Sequence, residues 1–84
     1  MLQNLAIEAK WKELAVITCD SGRFSIDLTM GKLNAYFPDE ASFDITAPKW
    51  AIGHWSQIHD ALKDWCDSNS IPLTVDANGR VYTD

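Results

Sequence analysis

Between residues 48 and 69 the apolar positions recur at helical spacing. Ala51, Trp55, Ile58, Leu62 and Trp65 share one side, while Asp60, Asp64 and Asp67, at i, i+4 and i+7, line another. The pattern predicts one long helix over 48–69 with an indole-lined inner side and an acidic outer side. Pro48 suits its first turn, where the missing N–H has no helical partner, and Asn69 followed by Pro72 ends it. Gly53 is a poor helix former inside this stretch and is read as permitting a close backbone approach.

Upstream the period shortens to two. Phe24, Ile26 and Leu28 alternate with Arg23, Ser25, Asp27 and Thr29, the signature of a strand with one buried face. The β-branched run Val16, Ile17, Thr18 predicts a strand before it, and Asp20-Ser21-Gly22 supplies the turn of a hairpin. After a second turn at Met30-Gly31-Lys32, Leu33, Ala35 and Phe37 alternate with Asn34 and Tyr36 until Pro38 removes a ladder donor. Three consecutive antiparallel strands are therefore expected. Residues 39–46 read as a polar, acidic connection, although Phe43 and Ile45 alternate with Ser42 and Asp44 in the manner of a short edge strand. Leu73, Val75, Val81 and Tyr82, around Asp76-Ala77-Asn78-Gly79, suggest a last hairpin or an extended tail at the sheet edge.

Residues 2–15 admit two periods. Strong helix formers, an i,i+4 pair of Glu8 with Lys12, and Ile7, Trp11 and Leu14 on one side predict a shorter N-terminal helix. The competing strand pattern is the alternation of Leu5, Ile7, Ala9 and Trp11 with Glu8, Lys10 and Lys12. Taken together the elements predict an α+β fold: an antiparallel sheet of three to five strands packed on one long helix in the C-terminal half, with the shorter helix at its flank. Phe24, Ile26, Leu28, Leu33, Phe37, Trp55, Ile58, Leu62 and Trp65 are the expected core.

Composition bounds the rest. With 84 residues the chain is read as a single domain over 1–84, and 46% hydrophobic against 23% charged residues is a globular balance. The formal net charge of −5, with seven scattered Lys and Arg, argues against direct nucleic-acid binding, which draws its affinity from clustered cations. No stretch has the pattern of a secretory leader or the apolar length of a membrane span, so a cytoplasmic protein with no membrane partner is expected. Cys19 and Cys66, far apart in sequence, are expected to stay free thiols.

No catalytic constellation can be traced. His54 and His59 are five apart and miss the i,i+4 spacing of a helical metal pair, Cys66 has no base assigned to it, and the glycines are isolated rather than gathered in a phosphate loop. The chain is therefore read as a non-enzyme without metal or cofactor. The acidic row is the candidate recognition feature: Asp60, Asp64 and Asp67, extended by Asp39, Glu40 and Asp44, with Trp50 at the helix flank and Tyr36 on the outward strand face as aromatic contacts. The expected function is that of a small acidic protein-binding module acting by stoichiometric contact, an inhibitor or regulator of a larger, nucleic-acid-binding complex, of phage or mobile-element accessory type. Its partner would be another protein with a basic surface. The alternative is a structural subunit that self-associates, as a homodimer, through the exposed sheet face.

Overall fold

Alternation along residues 22–29 builds the central strand. The computed structural model describes residues 1–10, 13–29 and 32–83. Strands β1 (Ala6–Lys10), β2 (Leu14–Cys19), β3 (Gly22–Thr29) and β4 (Asn34–Pro38) are followed by helices α1 (Glu40–Thr46) and α2 (Trp55–Ser68) and by strands β5 (Leu73–Asp76) and β6 (Val81–Tyr82). The fold is α+β. Among the described residues one open sheet of six strands runs β1-β2-β3-β4-β5, with β6 on β3. One edge of β3 carries β2 from residue 22 to 27; the other is shared by β6 at Ser25 and Ile26 and by β4 at Leu28 and Thr29.

The N-terminal helix expected over 2–15 is replaced by strand pairing. Ala6↔Thr18 through Lys10↔Leu14 form an antiparallel ladder, placing Ile7 opposite Ile17 on the core side and Glu8 and Lys10 on the other. Helix propensity is a weak preference, and a neighbouring β-branched strand offering both ladder bonds and apolar contact overrides it. Trp11 and Lys12, which entered both readings, lie outside the described residues, as do Met30 and Gly31 of the expected second turn.

The long helix is also shorter than its pattern. Residues 48–53 form successive turns, closed by Ala51 N–H to Pro48 O at 2.9 Å and His54 N–H to Ala51 O at 3.0 Å, and α2 begins only at Trp55. Gly53 has φ +90° with open space where a Cβ would stand, so it serves the turn rather than a close approach within a helix. At the other end Asn69 has φ −105°, and the left-handed residue is Ser70 at +57°. Ile71 N–H then returns to Cys66 O at 2.8 Å, and Ile71 is buried against the core as the chain turns into β5.

Residues 39–46, expected as a connection, contain α1. Asp39 caps it, accepting from Ser42 N–H at 2.9 Å. Both helices sit between β4 and β5, which pair in parallel from Ala35↔Leu73 to Pro38↔Asp76, so the sheet is mixed rather than wholly antiparallel. Of the last hairpin or extended tail expected over 73–82, the hairpin does not form: β5 pairs with β4 and β6 with β3. After β5 the chain turns on Asp76 and passes over the end of β4, where a Cβ on Gly79 would collide with the Phe37 and Pro38 backbone, and then joins β3 as β6. Glycine is required at that crossing.

One sheet face is covered. Ala15 and Ile17 of β2, Phe24, Ile26 and Leu28 of β3, and Ala35 and Phe37 of β4 are buried with Phe43 of α1 and Ile58, Leu62 and Cys66 of α2. Phe43 is central, its ring centroid 5.9 Å from that of Phe24 and 5.5 Å from that of Phe37. Trp55 and Trp65 pack on this cluster half-buried, and the expected core residue Leu33 is instead 43% exposed in the turn before β4. Leu2 is held on α2 by both amide atoms of Gln57, each hydrogen bond 2.9 Å long.

Replacing Phe43 by Ala should lower unfolding free energy by about 3–5 kcal/mol in urea titrations, because a fully buried ring leaves a cavity. Ile45→Ala, two residues away but exposed, should change it by less than about 0.5 kcal/mol. Equal losses at the two positions would contradict a helical α1.

Candidate functional site

The acidic row on α2 follows from the residues that face inward. Ile58, Leu62 and Cys66 are buried at i, i+4 and i+8, so positions 60, 64 and 67 project from the other side, and Asp60, Asp64 and Asp67 are all exposed. Two of the three have local company. Lys63 Nζ donates to Asp67 Oδ2 at 3.0 Å, a bond that raises the lysine above its ordinary value, and Asp60 Oδ1 lies 3.3 Å from Nδ1 of His59. His59 itself is stacked on Trp55, ring centroids 4.7 Å apart, and the Trp55 indole N–H donates to Pro38 O at 2.9 Å.

α1 lies on the same side of the sheet, since Phe43 meets Phe24 and Phe37 while Trp55 and His59 meet Phe37. Glu40 and Asp44 are exposed on it. Asp39 has a structural duty as the cap, and the Ser42 amide it binds holds its carboxyl below the usual carboxylate range. Residues 39–46 and 55–68 contain six carboxylates and one lysine, a net −5, which equals the formal net charge of the entire chain. The remainder, six acids and six Lys or Arg, sums to zero. The helical layer thus carries the whole charge excess.

Sequence reasoning missed Ile45. It is 84% exposed, beside Asp44 and one helical turn from Ala41, and forms an isolated apolar knob in the acidic layer. The available signal was the spacing from Phe43: in a helix, positions two apart point to nearly opposite sides, so burying one exposes the other. Read as a strand, the two residues fall on one face, and the knob disappears.

The two aromatic candidates lie elsewhere. Trp50 is half-buried, tilted against Phe24 with centroids 5.9 Å apart and seated over Gly22, so it closes the core edge. Tyr36 alternates with the buried Ala35 and Phe37, which places it on the sheet face opposite the helices. The structure therefore brings Glu40, Asp44, Asp60, Asp64 and Asp67 onto one layer and separates them from Tyr36.

Among the described residues no helix packs on that second face, which is mainly polar apart from Leu14 and the buried Val16. A shallow concavity of about 220 Å³ is lined there by Lys10, Leu14, Val16, Arg23, Phe24, Ser25 and Tyr82. Tyr82 is fixed there by its hydroxyl, which donates to Asp27 Oδ2 at 3.1 Å. No nucleophile paired with a base is found among these groups. Both cysteines are free thiols; Cys66 is buried, and loss of hydration pushes it from 9.0 up to about 11. Among the described residues no cluster of three or more His, Cys, Asp and Glu is arranged to hold a metal ion, and no helix is long and apolar enough to cross a membrane.

No protein-family model, curated protein or solved structure matches this chain.

At pH 8 an alkylating reagent should label the half-exposed Cys19 under native conditions and Cys66 only in denaturant, as read by mass spectrometry. Because the folded state holds the Cys66 proton more tightly than the unfolded chain, the stability it contributes is complete below about 9 and is lost as pH rises from 9.0 toward about 11. Equal labelling of both thiols in the native protein would contradict the burial.

Proposed function

We propose that the chain is a protein-binding module that acts by stoichiometric contact, presenting its helical layer to a basic groove on a partner protein. The observation that carries this reading is the segregation of charge: α1 with its cap and α2 hold the full net −5 of the chain, while the sheet and loops are balanced. Such a one-sided field steers a basic partner and fixes the orientation of encounter. Ile45, protruding from the same layer, supplies an apolar anchor among the carboxylates.

A cost borne by the fold supports the assignment. Asp64 and Asp67 lie in the last turns of α2, where the helix dipole favours cations, and no basic residue occupies its last turn. Only Lys63 offsets them, and as an exposed pair its bond to Asp67 contributes little. Placing these charges here weakens the helix, which a binding role explains better than folding does. Occupation of a groove that otherwise receives nucleic-acid phosphates would make the chain an inhibitor of a nucleic-acid-binding complex.

Immobilised wild-type chain should capture a basic protein, identifiable by mass spectrometry, whose affinity once purified falls steeply with added salt. Asp60→Lys combined with Asp64→Lys, and separately Ile45→Asp, should weaken that affinity at least about tenfold, while Tyr36→Ala on the other face leaves it unchanged. Unaltered binding by the double lysine variant would exclude the acidic layer as the contact surface.

A further inference from the structure

We infer that β1 is a self-pairing edge, through which two copies of this chain join their sheets about a two-fold axis at Ala9. This goes beyond the proposed function and uses a different surface. β1 ends the sheet, and its five residues contain neither proline nor glycine to blunt the edge. The helical layer covers its margin only in part: α2 approaches β1 and Ile7 packs half-buried on the core, but Ala9, on the same side, is exposed.

The free edge can be worked out from the ladder. Leu28 N–H donates to Glu13 O at 2.8 Å, one step beyond the Leu14↔Asp27 pair, so the residues of β2 bonded to β3 are the odd-numbered ones. Leu14, Val16 and Thr18 therefore turn their main-chain groups to β1, where they oppose Lys10, Glu8 and Ala6. Ile7 and Ala9 are left pointing their N–H and C=O outward.

Charge then selects the register. Continuing the sheet requires opposed residues to project to the same face, which places the two-fold axis on a residue rather than between residues. An axis at Glu8 opposes two carboxylates, one at Lys10 opposes two ammonium groups, and one at Ile7 leaves both charges facing alanine or residues outside the strand. With the axis at Ala9, Glu8 faces Lys10 of the second copy and Lys10 faces its Glu8, while the two Ala9 residues exchange main-chain hydrogen bonds from the outward-pointing groups. A two-fold contact of this kind closes with two copies, leaving no open edge of β1 for a third.

Sedimentation equilibrium of the full chain tests this, run from about 5 μM to about 1 mM because a contact this small associates weakly. The wild type should rise with concentration from 9.4 kDa toward twice that mass. Lys10→Glu should remain monomeric, and exchanging both charges, Glu8→Lys with Lys10→Glu, should restore association. Ala9→Pro removes an N–H that points away from β2, so it should abolish association while circular dichroism shows the fold retained. A wild type that stays monomeric throughout, an association that survives either Lys10→Glu or Ala9→Pro, or one that the charge exchange fails to restore, overturns the inference.

Discussion

Two parallel neighbours in a sheet cannot be joined by a tight turn, so the pairing of β4 with β5 obliges the chain between them to cross the sheet and return. That connection is the whole of residues 39–72, and it carries both helices onto one face. Once there, Phe43, Ile58 and Leu62 have a single surface available, the stripe of Ala15, Ile17, Phe24, Ile26 and Phe37. The aromatic contacts among Phe24, Phe37 and Phe43 lock the connection in place. Glu40, Asp44, Asp60, Asp64 and Asp67 are consequently pushed outward together.

The placement of charge follows from this packing. α2 satisfies its inner side with aliphatic residues and the Cys66 thiol, leaving Asp60, Asp64 and Asp67 to solvent, and α1 does the same with Phe43 inside and Asp44 and Ile45 outside. Among the described residues no helix covers the opposite sheet face, and its small hollow between Lys10, Arg23 and Tyr82 is flanked by charges of both signs, including Glu8 and Asp27. The molecule therefore presents two surfaces of different character, one strongly acidic and one nearly balanced. The partner recognition proposed for the helical layer and the self-pairing proposed for β1 are compatible because they use separate parts of it.

What the sequence disclosed was governed by whether local period and tertiary demand agreed. They agreed at β3, where Phe24, Ile26 and Leu28 are all buried, and at the centre of α2, where Ile58 and Leu62 are. They disagreed at 6–10, where helix formers were claimed by the β2 ladder, a non-local partner invisible to propensity. They disagreed again at α1. Phe43 and Ile45 mimic strand alternation over three residues, and the Asp39 cap followed by Glu40 was the stronger signal. Parallel pairing of β5 could not be read at all, since Leu73 and Val75 look the same beside any neighbour. Of the candidate contact residues, the α2 aspartates were legible from spacing alone. Trp50 and Tyr36 were not, because the side of the sheet on which each lies depends on the topology.

The account rests on α1 and α2 burying one side each against the same sheet face. Side-chain nuclear Overhauser contacts measure this directly on the isolated protein. The Phe43 ring protons should show contacts to both Phe24 and Phe37, those of Trp55 to Phe37, and the Ile45 methyl groups to none of these rings. Ile45 methyls in contact with Phe24 or Phe37, with Phe43 free of them, would show α1 turned over and its carboxylates facing elsewhere, and the acidic layer would lose its structural basis.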